Sequence, residues 1–349
     1  MARSPLFNTL DSLHPEIGHY EGVDTPVGFG NTLAEVRALQ STCGIYDFAW
    51  RARLVAVGPD RVRWLNGMVT NNIKALGHDR GCYNFLLNAQ GHILGDLYIY
   101  NRGDRMGMET DQSQLAKIQT TLERFIIMDD VELKPVAGMG SIGLIGPLAV
   151  QVMAAAGINA SELEYLQLKD CRAGEIDLSI VRSDDAQHPS YEIVAPIAAL
   201  PDLSNLLVDA GATPVGTRAL EIIRILGGRP RYGHDIRERD LPQETGQTRA
   251  LDFTKGCYIG QEIVERIHSR GKLHRRFAGF LISAPVPEKS KLQVNGKDVG
   301  ELTSVCSLDF LQDGEKTFAL GYIRREAELP GTDIRANDAA VNLRAFPLS

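Results

Sequence analysis

The sequence predicts an α+β fold in which an α/β part over residues 1–275 precedes a small C-terminal β-barrel over residues 276–349. Three observations lead to this class. The chain has 349 residues, which is too long for one ordinary hydrophobic core, so two or three domains are expected. Strand-like and helix-like runs alternate up to about residue 275. Beyond that point only short β-like runs remain, which is typical of a small all-β barrel.

Helices in the first part are predicted from apolar residues at helical spacing. Leu33, Val36 and Leu39 lie on one side of a helix that ends before Gly44. Pro59 opens a second helix through "DRVRWLNGMVTNN". The run "SQLAKIQTTLERFI" carries apolar residues about four positions apart and predicts a third helix.

Strands and hairpins are predicted from β-rich runs and from the residues between them. "RARLVAV" reads as a strand. Two strand-like runs flank "NAQG" in "CYNFLLNAQGHILGDLYIYN", where Asn and Gly suit the positive φ of a tight turn. In the C-terminal part, Asn295 and Gly296 between Val294 and Lys297 form the strongest short hairpin signal in the chain.

The overall charge and the N-terminus limit the classes of function. The net charge of −7 disfavours direct binding to nucleic acid. No apolar run reaches the roughly 18 residues that a membrane span needs. The N-terminal "MARSPLFNTLDSLHPEIG" has neither the apolar stretch of a secretory signal nor the Arg-rich, acid-poor character of a transit peptide. We therefore expect a cytoplasmic protein without membrane contact.

The cysteines do not predict a resident metal. Five cysteines occur, at positions 43, 82, 171, 257 and 306. Their number is odd and no CxxC or comparable cluster exists, so neither a disulfide framework nor a local zinc or iron–sulfur site is expected.

One cysteine stands in an unusual setting, the stretch "LDFTKGCYIGQE". "LDF" is strand-like and "IGQEIVERI" is helix-like, so Cys257 should lie on a strand-to-helix turn shaped by Gly256 and Gly260. A helix N-terminus and Lys255 nearby favour the thiolate, which could ligate iron, attack an electrophile or sense oxidants. The alternative is that the glycines merely shape the turn and the thiol packs inward.

The same stretch, "KGCYIGQE", resembles the signature of the YgfZ family of folate-binding proteins, tRNA-modification and iron–sulfur assembly factors within the glycine-cleavage T-protein (aminomethyltransferase) superfamily. "IIRILGGRPRYGHDI", "LPQE" and "FALGYI" follow the family's order, and "CGIYDF", "LNGMVTNNI" and "LNAQGHILGDLYIY" are similar to both branches. The resemblance covers nearly the whole chain. It implies interlaced α/β domains around a central cavity that binds tetrahydrofolate, plus the C-terminal barrel.

The resemblance also implies the site residues. Asp96 in "GDLYIY" matches an aspartate near N10 of the folate that serves catalysis in T-proteins. Glu192 in "SYEIVAP" matches a glutamate that accepts hydrogen bonds from the pterin ring, a task that suits a carboxylate. Arg224 in "IIRIL" matches an arginine of the same cavity. Lys255 and Tyr258, within the signature, complete the folate-binding set.

At two positions this chain differs from the T-protein pattern, and both differences favour the YgfZ branch. T-proteins carry a second acid where this chain has Gly95, and commonly Asp-Phe where it has Cys257-Tyr258. The sequence therefore predicts a tetrahydrofolate-binding accessory protein that supports iron–sulfur assembly or repair and iron–sulfur-dependent tRNA modification, with Cys257 as functional thiol. Iron–sulfur client enzymes or assembly proteins would be its partners. The alternative is a folate-dependent aminomethyltransferase or demethylase of the T-protein type, which the retention of Asp96 leaves open.

Overall fold

A computed structural model describes residues 2–3, 6, 13–183, 187–271, 273–308 and 316–348. The chain forms two compact units. Unit 1 comprises Met1–Asn66, Asn72–Asn84 and Leu97–Glu221, and unit 2 comprises Gly67–Asn71, Phe85–Asp96 and Ile222–Ser349.

Twenty strands occur in the described residues, and each is numbered in chain order. They are β1 (Ala2–Arg3), β2 (Glu16–Tyr20), β3 (Val23–Gly28), β4 (Gly44–Asp47), β5 (Arg51–Val57), β6 (Gly81–Leu87), β7 (Ile93–Asn101), β8 (Met106–Asp111), β9 (Glu132–Pro135), β10 (Met139–Ile145), β11 (Leu168–Ala173), β12 (Ile176–Arg182), β13 (Ser190–Pro196), β14 (Thr213–Pro214), β15 (Arg275–Ile282), β16 (Lys291–Val294), β17 (Lys297–Leu308), β18 (Lys316–Arg324), β19 (Ile334–Ala336) and β20 (Ala339–Arg344).

The α-helices of the described residues are α1 (Thr32–Ser41), α2 (Arg61–Met68), α3 (Gln112–Glu123), α4 (Ala149–Ala155), α5 (Leu200–Asp209), α6 (Thr217–Leu226) and α7 (Gln261–Arg270). Short 3₁₀ helices lie at Ile73–Ala75, Ile197–Ala199, Pro242–Thr245, Thr248–Ala250 and Arg325–Ala327.

Unit 1 is built on β-sheets. One has the order β11-β12-β13-β10-β4-β14, and a second has the order β6-β7-β8-β5-β9. Strands β6 and β7 begin or end in unit 2, because the hairpin turn between them belongs to that unit. Ile142 and Ile193 contribute to the apolar core on one face of the first sheet, together with Met153 of α4 and Leu203 of α5. Ser141 and Glu192 lie on the opposite face of this sheet, outside that core.

Unit 2 contains the barrel. Its strands close in the order β15-β18-β17-β16-β19-β20, and Phe280, Leu302 and Ile323 lie in its core. The turn between β16 and β17 has positive φ at Asn295 (50°) and Gly296 (76°), as the sequence predicts. The α+β class with a closed C-terminal barrel is confirmed. The barrel strands begin at Arg275, whereas unit 2 already includes residues from Ile222, so the boundary at 275 stays a prediction.

The local predictions in the first part are confirmed apart from one. The helices around Val36, Trp64 and Ile118 and the hairpin around "NAQG" form where expected, and Gly91 closes that turn with a φ of 75°. "LDF" is not a strand, and the expectation of a strand-to-helix turn is wrong on its first half. The reason is Asp252, whose Oδ1 accepts hydrogen bonds from the Thr254 amide (2.7 Å) and the Lys255 amide (3.1 Å) and so folds the segment into a turn.

Among the helices that the structure describes, none has the length and apolar character needed to cross a membrane.

Candidate functional site

Glu192 lies at the centre of a buried polar cluster in unit 1. It is 2% exposed on β13, opposite Gly143 of β10 in the sheet register. Its Oε1 accepts hydrogen bonds from the Ser141 hydroxyl (2.7 Å) and from Arg53 Nη2, and its Oε2 accepts one from Arg51 Nε (3.3 Å). Three donors on two oxygens fix both the position and the orientation of the carboxylate.

The two arginines belong to the other sheet, on β5. They alternate with buried Ala52 and Leu54, so both guanidinium groups point to the same face. Arg53 lies directly opposite Glu109 of β8 in the register and donates from Nε to its Oε1 at 3.0 Å. Arg53 therefore bridges two buried carboxylates, Glu109 and Glu192.

The cluster shifts the pKa values of Glu192 and Glu109 in opposite directions. Burial alone would raise the pKa of Glu192, but the charges of Arg51 and Arg53 outweigh it, and the pKa lies below its ordinary value. Burial and the neighbouring charge of Glu192 raise the pKa of Glu109 despite Arg53. Glu192 is thus the ionised acceptor of the pair, and Glu109 is the member that takes up a proton more easily.

A cavity of about 290 Å³ in unit 1 borders this cluster. Arg51, Arg53 and Ser141, the three donors to Glu192, lie in its wall. The Arg51 guanidinium also stands 4.4 Å from the ring centroid of Phe48, another wall residue, which is a cation–π contact. The cavity is at the small end of the range for organic ligands.

The Cys257 turn lies in unit 2. The thiol is exposed, as predicted for a functional cysteine, and the alternative that it packs inward is wrong. The turn is firmly held. The Ile259 amide donates to the Gly67 carbonyl (3.1 Å), and a Cβ at Gly260 (φ 82°) would lie only 2.6 Å from the carbonyl oxygen of Asn88. The thiol is therefore presented on a rigid turn.

Lys255 has an anchoring role. It is 7% exposed, and its Nζ donates to the carbonyls of Val69 (2.6 Å) and Asn71 (2.7 Å). The ammonium also lies 4.9 Å from the ring centroid of Tyr258. These contacts tie the turn to the Gly67–Asn71 segment, a role that differs from the activation of the thiol expected from the sequence.

Tyr258 packs inward from the same turn. Its ring is 7% exposed, and its Oη is buried with no hydrogen-bond partner among the described residues. Burial, with the charges of Glu265 and Asp252, raises its pKa. A neutral buried hydroxyl of this kind is an available donor and acceptor.

Asp96 and Arg224 also belong to unit 2. Asp96 is half-buried on β7. Arg224, at the end of α6, donates from Nη1 to Asp235 Oδ2 (2.7 Å) and from Nη2 to the Ser304 hydroxyl (2.8 Å). Asp235 is fully buried, so these contacts make Arg224 part of the packing between the loop after α6 and the barrel.

The structure thus brings Lys255, Cys257 and Tyr258 together on one turn and places Asp96 and Arg224 in the same unit. Glu192 belongs to unit 1. The roles of all six at a folate site stay predictions.

Sequence reasoning missed Arg51, Arg53, Ser141 and Glu109. The available signal was the alternation in "RARLVAV", where two arginines occupy the same side of a strand whose other side is apolar. Such a pattern indicates that the charged face meets acidic partners, but it does not say which ones.

Among the residues described, no three His, Cys, Asp or Glu side chains are grouped as metal ligands.

Comparisons with known proteins identify the family. Residues 6–255 match the family model described as the GCVT N-terminal domain. The chain is 27% identical to an aminomethyltransferase of Chlorobium phaeobacteroides, over 88% of this chain and 86% of the relative. It is 23% identical to an aminomethyltransferase of Halothermothrix orenii, over 96% and 95%. A putative chloroplastic transferase of Arabidopsis thaliana is 25% identical over 94% of this chain and 76% of its own length.

A solved structure shares the fold. The glycine cleavage system aminomethyltransferase T of Bartonella henselae superposes with a TM-score of 0.88 at 22% identity, covering 99% of this chain and 97% of that one. The T-protein superfamily is confirmed by these matches, whereas the narrower YgfZ branch stays a prediction.

Proposed function

The chain belongs to the glycine-cleavage T-protein (GCVT) family, and on this premise we propose that it binds tetrahydrofolate and acts as a folate-dependent transferase of the aminomethyltransferase type. This was the second of the two functions expected from the sequence. The named aminomethyltransferases among its relatives span most of the chain, and they support this function better than an iron–sulfur role.

The proposal rests on Glu192, whose carboxylate is fixed in orientation by three donors and has a lowered pKa. A pterin presents adjacent N–H groups on its aminopyrimidine edge, and a carboxylate that is ionised and fixed in orientation is the matching acceptor. The Ser141 hydroxyl at 2.7 Å and the two guanidinium groups supply both properties. A carboxylate has about four acceptor positions, so an incoming ring has a position left on Oε2.

Tyr258 and Asp96, which the family resemblance suggests, are further folate contacts in this proposal. The buried Tyr258 hydroxyl has no partner among the described residues, which fits a group that a bound folate would satisfy. Asp96, half-buried on β7, is the carboxylate next to the reacting nitrogen of the folate. There it accepts or returns the proton that moves as the one-carbon unit is transferred.

The test is a transfer assay with Asp96→Asn. Tetrahydrofolate-dependent release of ammonia from an aminomethyl donor is measured beside folate binding by calorimetry. We expect the variant to bind folate nearly as wild type does but to turn over about 10²–10⁴-fold more slowly. Asp104→Asn, which changes an exposed acid in the turn after β7, is the matched control and should behave as wild type. Binding without any transfer by wild type would contradict the enzymatic part of the proposal.

A second function is favoured by one observation, the exposure of Cys257 on a rigid turn. In this proposal the protein supports iron–sulfur enzymes, and the thiol contacts an iron–sulfur client or assembly protein. An exposed thiol is accessible to a partner of this kind.

The two functions are separated by complementation of a knockout with wild type, Asp96→Asn and Cys257→Ser. The aminomethyltransferase function requires Asp96 for glycine cleavage and tolerates the serine. The accessory function requires Cys257 for iron–sulfur enzyme activities. Full complementation by Cys257→Ser would exclude the accessory function.

A further inference from the structure

We infer that Arg53, assisted by Arg51, is a positioning residue that keeps the Glu192 carboxylate ionised and aimed at a ligand with adjacent N–H donors. The inference rests on the proposed function, because that ligand is the aminopyrimidine ring of tetrahydrofolate. Neither arginine is assigned a role by the family resemblance.

Donors from two sheets hold the Glu192 carboxylate in position. Arg53 Nη2 and the Ser141 hydroxyl both donate to Oε1 of Glu192, while Arg51 Nε donates to Oε2. The donors come from two different sheets, since Ser141 lies on β10 and the arginines lie on β5. The carboxylate therefore cannot rotate about its terminal bond without breaking a bond to one sheet or the other.

The arginines also set the charge of Glu192. Glu192 is 2% exposed, and an isolated carboxylate at such a depth would tend to protonate. A protonated carboxyl group becomes a donor on one oxygen and loses part of its capacity to accept an N–H bond from the ligand. Arg53 is the nearer of the two cations and the one that is shared with Glu109 at 3.0 Å, so its removal affects both acids.

The charged and titratable groups around Glu192 come from three strands. They are Arg51 and Arg53 of β5, Glu109 and Asp111 of β8, and Tyr98 and Tyr100 of β7. Burial raises the pKa of Glu192, and the two arginines lower it. The net lowering of its pKa depends on both arginines and on the Ser141 hydrogen bond, so a neutral residue at position 53 should raise the pKa.

The experiment compares tetrahydrofolate binding by wild type and Arg53→Gln between pH 5 and pH 8. Loss of the positive charge at position 53 raises the pKa of Glu192, so the variant should lose affinity at a higher pH than wild type does as the pH falls. We expect the ratio of variant to wild-type Kd to grow about tenfold from pH 8 to pH 5. Because both proteins meet the same ligand at each pH, titration of the folate cancels in this ratio.

The matched control is Arg102→Gln. Arg102 also lies in unit 1, is 13% exposed as a side chain, and pairs with two carboxylates, Asp79 (2.8 Å) and Asp170 (2.5 Å). The ratio of the Kd of Arg102→Gln to the Kd of wild type should not change with pH. Arg53→Lys, which keeps the charge, should restore most of the wild-type pH profile.

A ratio for Arg53→Gln that is constant with pH, as for Arg102→Gln, would overturn the inference while leaving folate binding by wild type intact. Absence of folate binding by wild type would refute the proposed function, and this inference with it. If Arg53→Gln does not fold, Arg51→Gln takes its place, because that arginine also donates to Glu192, at 3.3 Å, and lowers its pKa, so the same trend with pH is expected.

Discussion

Replacing Glu192 by alanine should destabilise the protein strongly even without a ligand. The change removes the acceptor of three hydrogen bonds and leaves two guanidinium groups without their shared counter-ion. Breaking a buried ion pair from one side costs about 3–5 kcal/mol. Arg53 keeps Glu109 at 3.0 Å, so we expect the lower end, about 3 kcal/mol.

In a unit of about 200 residues, such a loss lowers the Tm by about 6–12 °C. Thermal unfolding followed by circular dichroism measures it. Glu164→Ala is the control, because Glu164 pairs with Arg80 at 2.7 Å but is 70% exposed, and surface pairs contribute little. Equal Tm values for Glu192→Ala and wild type would show that the cluster is not an energetically coupled unit, and would refute the reasoning from burial.

Three further predictions concern unit 2. Cys257, exposed on its turn, should react with iodoacetamide at neutral pH before Cys43, which is buried and has its pKa raised to about 12 by burial. Lys255→Met should cost about 2–4 kcal/mol of unfolding free energy, because two carbonyls lose a charged donor. Burial opposes ionisation of Glu301, but two basic side chains lower its pKa from 4.5 to about 2. The stability from Glu301 is therefore complete above pH 4.5 and is lost as the pH falls towards 2.

Each of these has its own check. Mass spectrometry after brief alkylation identifies the first cysteine to react, and equal rates at all five would contradict the assigned exposure. Lys297→Met, at an exposed position of β17, is the control for Lys255→Met in denaturant unfolding, and equal midpoints for the two variants would remove the anchoring role. Glu301→Gln should flatten the acid side of the stability profile between pH 4.5 and pH 2, and an unchanged profile would contradict the sign of the shift.

Local signals in the sequence were sufficient where structure depends on neighbours along the chain. Asn295 and Gly296 specify a turn because both tolerate positive φ, and Val36 and Leu39 specify a helix through their spacing. The change in sequence pattern near residue 275 indicated a barrel because strand-like runs follow one another there without a helix-like run between them. "LDF" failed because the side chain of Asp252 forms a local turn in place of a strand.

Contacts between distant segments could not be predicted in this way. Arg53 and Glu192 are 139 positions apart, and the sequence shows two arginines on a strand without showing their partners. Glu192 itself was found through the family resemblance, and its burial and its donors are known only from the structure. The anchoring of Lys255 was missed for the same reason, since its acceptors lie in the separate segment Gly67–Asn71.

Calorimetric titration of tetrahydrofolate into wild type and Glu192→Gln at pH 7 measures the role of Glu192 in folate binding directly. We expect saturable binding by wild type. We expect the affinity of the variant to be lower by about ten- to a hundredfold, because a charged acceptor for the ring contributes about 1.5–3 kcal/mol. Unchanged affinity in Glu192→Gln would contradict the assignment of Glu192, and no binding by wild type would contradict the folate-dependent function itself.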